Sequence, residues 1–120
     1  MKFSFYQRKA HETAQYPIIV VFSQDLQQKT SVPFLYPAIG VSSEAGELLE
    51  KVKKIIRNNN GVINQNEITE ITKEIGDVLW YLSELCSCFN LNMDDIAKNN
   101  LDKLRKRNEE GTIKSSGDNR

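Results

Sequence analysis

Four stretches of this chain repeat apolar residues at intervals of three and four, the spacing that gives an α-helix one apolar face. The first covers residues 4–15, with Tyr6, Ala10 and Thr13 on one side. Tyr16-Pro17 ends it, because proline pushes the residue before it out of the helical region. Pro17 to Phe22 has the composition of a strand, but no partner strand is evident after it. Helix or an extended cover is therefore expected there. Gln24 to Thr30 is polar and shows no clear period.

Pro37 fits the first turn of a second helix that runs to Asn58, with Ile39, Leu48, Leu49, Val52, Ile55 and Ile56 as its apolar stripe. Asn58-Asn59-Asn60-Gly61 stops it, and residues 59–66 form a loop. Asn64 or Asn66 caps a third helix, Glu67 to about Asn90. Its stripe is Ile68, Ile71, Ile75, Val78, Leu79, Leu82, Leu85, Cys86 and Phe89. Asn92 caps a fourth helix, reaching about Asn108, and Asp94 and Asp95 in its first turn favour the helix dipole. The tail, residues 109–120, mixes glycines, serines and charges and is expected to be irregular. Together these elements predict an all-α fold. It is a bundle of about four helices forming a single domain over residues 1–120, small enough to be completed by oligomerisation.

Composition narrows the partners. Lys+Arg and Asp+Glu both number 16, so the formal net charge is zero and no global basic field draws in nucleic acid. The local cluster of Lys98, Lys103, Arg105, Lys106 and Arg107 has no interleaved aromatic residues, so no nucleic-acid partner is expected. The longest apolar run, Pro17 to Phe22, is far too short to span a bilayer, and the N-terminus lacks a signal-like apolar region. Cys86 and Cys88 stand two apart on a helix, pointing to nearly opposite faces, and cannot pair. A reduced, cytoplasmic protein is expected.

The chemistry lies in two acidic pairs, Glu44-Ala45-Gly46-Glu47 and Glu74-Ile75-Gly76-Asp77. Carboxylates three apart share one helix face, one turn above each other. Two helices packed along those faces would gather four carboxylates at one point. Such crowding demands a compensating cation, and an all-oxygen set suits Mg²⁺, with Mn²⁺ as a substitute. Gly46 and Gly76 hold the same slot in each pair and are expected to allow close helix approach beside the metal. In the fourth helix Ile96, Asn100, Lys103 and Arg107 share a stripe, while Ala97, Leu101 and Leu104 form an adjacent one expected to pack inward. Asn100, Lys103 and Arg107 would then border a crevice and contact phosphate oxygens. A ferritin-like di-metal bundle would need Glu-x-x-His pairs, and the single histidine, His11, has Arg8 three residues before it. Trp80 is expected in the core. The main alternative is a non-catalytic helical interaction module with acidic and basic faces.

In this order and spacing the motifs resemble those of the MazG-type nucleoside triphosphate pyrophosphohydrolases. That all-α family carries an E-x-x-E helix, an E-x-x-D helix and a later N-x-x-K-L-x-x-R element. The last is matched by Asn100-Leu101-Asp102-Lys103-Leu104-Arg105-Lys106-Arg107. The likeness covers roughly residues 36–110, and the tail is similar to that of small phage and bacterial members. It implies Mg²⁺-dependent hydrolysis of an NTP or dNTP to the monophosphate and pyrophosphate by a homodimer or homotetramer. It further implies that Glu44, Glu47, Glu74 and Asp77 are the metal ligands, with Asn100, Lys103 and Arg107 on the substrate phosphates. On the same resemblance Glu44 or Glu47 is expected nearest the attacking water, and Lys54 and Tyr81 are expected as neighbours of the nucleotide. Many members have a further acid just before the first pair, where this chain has Ser43. If that acid activates water in them, another group must do so here.

Overall fold

The computed structural model describes residues 1–114, 116 and 117. Its elements, in chain order, are α1 (Phe3–His11), β1 (Ile19–Ser23), β2 (Gln28–Val32), α2 (Leu35–Asn59), α3 (Gln65–Cys88) and α4 (Met93–Glu109). The four expected helices are all present, so the all-α expectation holds, with one addition. The irregular tail is seen as turns and bends over the described residues; Ser115 and residues 118–120 lie outside them.

The addition is a β-hairpin between α1 and α2. The expectation that Pro17 to Phe22 is helix or unpaired cover is corrected: β1 pairs antiparallel with β2, from Ile19 opposite Val32 to Ser23 opposite Gln28. The chain reverses at Gln27, which adopts φ +49° and donates its amide to Gln24 O. The partner strand, Gln28-Lys29-Thr30-Ser31-Val32, is nearly all exposed. With neither face buried it has no reason to alternate polar and apolar residues, and its polarity hid it from pattern reading.

The helix ends follow local chemistry. Asn64, rather than Asn66, caps α3: its side chain accepts from the amides of Asn66 and Glu67, while Glu67 accepts from the Asn64 amide in a reciprocal capping box. Asn92 caps α4 by accepting from the Asp94 amide. Asn60 closes α2 in the left-handed region at φ +52°. Gln7 ties α1 to the α3–α4 turn. Its Nε2 donates to Leu91 O at 2.8 Å, and its Oε1 accepts from the Met93 amide at 3.1 Å.

α2 and α3 form an antiparallel pair, and the seam between them is polar. From the loop end it runs through Asn59 and Glu67, Lys51 with Glu70 and Glu74, Glu44 with Glu74 and Asp77, and Gly40 with Tyr81. The apolar stripes read from sequence mostly face outward. Of the α2 stripe only Ile55 is fully buried, and Ile39, Leu49, Val52 and Ile56 are exposed. On α3, Ile68, Ile75, Leu82 and Phe89 are exposed, whereas Ser83 and Glu84 are fully enclosed. The expectation that Ala97, Leu101 and Leu104 pack inward is likewise corrected, since Leu101 and Leu104 are exposed. Trp80 is half-buried and donates its indole N–H to Thr13 Oγ1 at 2.9 Å.

Candidate metal and nucleotide site

Glu44 stands on α2, and Glu74 and Asp77 on the facing side of α3. The structure brings these three together: each offers a carboxylate oxygen, and the three oxygens lie within 4.8 Å of one another. Glu47, one turn beyond Glu44, is outside that trio, and its charge acts on Glu44. Burial first, and then the charges of Glu47, Asp77 and Glu74, push the Glu44 carboxyl above its ordinary value. Burial and crowded negative charge together disfavour a further carboxylate here, and a cation would relieve that crowding. The donors are all hard oxygens, on two helices held antiparallel. These residues therefore fit a small divalent cation.

The two glycines singled out from sequence do not do what was expected. A Cβ on Gly46 or Gly76 would meet nothing within 4 Å, so neither allows a close approach within this chain. Gly40 does: a Cβ there would fall 2.2 Å from Cδ1 of Tyr81. The absent side chain lets the Tyr81 ring lie against the α2 backbone. Tyr81 faces the acids, and its phenol is pushed above the ordinary value by burial, by Tyr36 and by the charge of Glu44. It therefore remains a hydrogen-bond donor through the physiological range. An aromatic row continues away from the acids. The Tyr36 and Tyr81 ring centroids are 6.5 Å apart, and Tyr16 stacks on Tyr36 at 5.5 Å with 2° between the planes.

Other sequence-derived candidates are spread further. Lys54 pairs with Glu50 at 3.6 Å and lines a cavity of about 230 Å³ together with Lys51, Ile55, Asn58, Asn59, Asn66, Glu67 and Glu70. Asn100, Lys103 and Arg107 lie on α4, which packs chiefly on α1 rather than on the α2–α3 pair. Asn100 is exposed and Lys103 half-buried. Arg107 is buried, and its Nη2 donates to Gly117 O at 3.3 Å, tying the tail to α4.

Residues that the motifs did not name complete the surroundings. Lys51 Nζ stands 3.6 Å from both Glu74 and Glu70. Glu84 is fully buried, and its Oε2 receives the Tyr16 hydroxyl and faces His11 Nδ1, each at 3.0 Å. Burial and hydrogen bonds to Cys88 and Glu84 push the Tyr16 phenol far up. The signal for both was present. Lys51 is seven residues after Glu44, and Glu84 seven after Asp77, two turns along the same faces.

A family model of the MazG nucleotide pyrophosphohydrolase domain matches residues 38–112. The chain belongs to the MazG nucleotide pyrophosphohydrolase family. The matched span holds both acidic pairs and the α4 element, together with Gly40, Lys51 and Tyr81. The chain is also similar to the "Gene 37 protein" of Mycobacterium phage L5, at 37% identity over 120 residues and the full length of both chains. No solved structure matches. Among the described residues no helix is long and apolar enough to cross a membrane.

Proposed function

We propose that this MazG-family chain hydrolyses nucleoside or deoxynucleoside triphosphates to the monophosphate and pyrophosphate, with Mg²⁺ bound by Glu44, Glu47, Glu74 and Asp77. The observation that carries the proposal is the meeting of Glu44, Glu74 and Asp77 oxygens within 4.8 Å across two helices. A bound Mg²⁺ would neutralise charge developing on the phosphate oxygens. The protein supplies the rest. Glu44, Glu74 and Asp77 fix the ion's position. Glu47, one turn beyond Glu44, completes the ligand set, and the remaining oxygen of Glu44 or Glu47 orients the attacking water and accepts its proton. The Tyr81 hydroxyl offers a donor beside the acids, and the aromatic row behind it offers an apolar wall for the base. Lys54, and on α4 Asn100, Lys103 and Arg107, are assigned to the phosphates, by resemblance to the family motif. The two unpaired cysteines support a reducing, cytoplasmic setting.

We also propose that the working form is a homodimer or homotetramer. The support is the outward-facing apolar stripe on α2 and α3, which a second copy would cover.

The decisive assay is a panel of canonical and modified nucleotides with Mg²⁺, followed by pyrophosphate release. Glu47→Gln and Asp77→Asn should each lower turnover by at least about 100-fold while leaving the helical circular dichroism intact. Pyrophosphate release at the wild-type rate from either variant overturns the assignment. Absence of heat on adding Mg²⁺ to the wild type would instead favour the interaction module.

A further inference from the structure

Lys51 sits on the wall between the carboxylate trio and the cavity. Its ammonium lies 3.6 Å from Glu74 Oε1, a member of the trio, and 3.6 Å from Glu70 Oε2. Glu74 is largely enclosed, with 12% of its side chain exposed against 35% for Lys51. On its other side Lys51 lines the cavity of about 230 Å³, whose remaining wall is Lys54, Ile55, Asn58, Asn59, Asn66 and the carboxylates of Glu67 and Glu70. Glu67 takes up the Asn59 amide and Glu70 is paired with Lys51 and Lys73, so the ammonium of Lys54 and the amides of Asn58 and Asn66 are the donors left to a ligand. The Lys51 ammonium neutralises a carboxylate that the proposed ion would also claim.

Two cations cannot share one carboxylate without repelling each other. Resting on the proposed function, we infer that Lys51 changes partner during the reaction cycle. It is the counter-ion of Glu74 before the divalent ion binds. Once the ion holds Glu74, Lys51 turns to the β- and γ-phosphate oxygens of the triphosphate, the portion that leaves as pyrophosphate, as they enter the adjoining cavity. The ammonium contributes a mobile point charge with three donors, suited to following a phosphate. Glu70 is the second anchor that keeps it at the wall during the exchange.

The inference has two consequences of opposite sign. Removing the Lys51 charge frees Glu74 for the ion, so the ion binds more tightly. The same change removes a phosphate contact, so the nucleotide binds more weakly. Neither loss of fold nor general damage to the site produces that combination.

The test compares wild type, Lys51→Met, Lys51→Arg and, as a control, Lys53→Met, since Lys53 is exposed and pairs with Glu50 outside the trio. Calorimetry with Mn²⁺ alone, without nucleotide, should show Lys51→Met binding the ion about 3- to 10-fold more tightly, the scale of a unit charge at this range in a partly exposed site. Its KM for nucleotide and its inhibition constant for pyrophosphate should both rise about 10-fold, with kcat changed by less than about 3-fold. Lys51→Arg should restore most of the KM, and Lys53→Met should match wild type throughout. Unchanged or weaker Mn²⁺ binding by Lys51→Met, or an unchanged KM, overturns the inference while leaving the proposed function standing. A wild type that neither binds Mn²⁺ nor releases pyrophosphate overturns both.

Discussion

At the scale of single residues, what matters most beside the acids is a missing side chain. Gly40 lies inside α2, where alanine would normally be favoured by up to about 1 kcal/mol. Here the added Cβ would enter the Tyr81 ring, 2.2 Å from Cδ1 and 2.3 Å from Cε1. The ring cannot give way cheaply, because it packs against Tyr36 and, at 5.0 Å, Trp80. Gly40→Ala is expected to destabilise the protein by about 1–3 kcal/mol, the usual cost of overpacking, and to reduce turnover by displacing Tyr81 from the acids. Gly46→Ala, whose Cβ meets nothing, should hold or raise stability. Denaturant unfolding of the two variants decides the matter: equal stabilities would show that the Tyr81 contact is soft. The acids themselves were legible because a carboxylate pair at three-residue spacing announces a shared face. Gly40 was not, since a glycine's neighbour across a helix pair depends on the register between α2 and α3. No local pattern encodes that register.

At the scale of elements, the helices were legible to within a few residues because their caps are local. Asn64 with Glu67 and Asn92 with Asp94 can be read from four or five consecutive letters. What a helix faces is less local. The apolar stripe on α3 was readable, but only part of it faces inward: Ile71, Val78, Leu79, Leu85 and Cys86 are half-buried, whereas Ile68, Ile75, Leu82 and Phe89 are exposed, because charge pairing and the carboxylate trio occupy the α2–α3 seam. The hairpin escaped because β2 is held by backbone pairing to β1 rather than by burial. Long-range capping escaped too. The N-terminus of α1 is closed by a residue of α4: Asp94 Oδ1 accepts the Phe3 amide at 2.9 Å. Hydrogen bonds, first from the Ser4 hydroxyl and then from the Ser4 and Phe3 amides, hold the Asp94 carboxyl below its ordinary 3.8. A depressed carboxylate value means that the bond's contribution is complete above pH 3.8 and is lost as pH falls through the lower folded value. In an NMR titration from neutral pH downward, the Phe3 and Ser4 amide shifts should stay constant above pH 4 and move together below it. Asp94→Asn should remove that transition. If the amides move near neutrality instead, the α1–α4 tie is not made by this carboxylate.

At the scale of the whole molecule, the chain is too open for its length. Its radius of gyration is 18.5 Å, against about 14 Å for a compact domain of 120 residues. Its accessible surface is 9039 Å², against about 6,600 Å² for a folded monomer of its mass. Among the described residues the buried apolar side chains are few: Ala10, Pro37, Ile55 and Met93. An excess of about 2,400 Å² per chain is on the scale of the surface buried in a large obligate interface. Ile39, Leu49, Val52 and Ile56 on α2, with Ile68, Ile75 and Leu82 on α3, give that surface its apolar character. In the proposed assembly a second copy of the chain would cover it, because its own stripe is the same and a two-fold axis sets like against like. Leu49 and Ile56, two turns apart on α2 and 67% and 63% exposed, test this directly. Within one chain, placing charge at exposed positions should cost little. In an assembly it would bury two charges per copy without partners. The double variant Leu49→Glu/Ile56→Glu is therefore expected to sediment as a monomer at micromolar concentration where wild type sediments as a dimer or larger. Its melting temperature should also fall and lose its dependence on protein concentration. Wild type sedimenting as a monomer would refute the assembly. A double variant that keeps the wild-type sedimentation coefficient would move the interface away from this stripe, leaving the exposed hairpin residues Val20, Val21 and Phe22 to account for the excess surface.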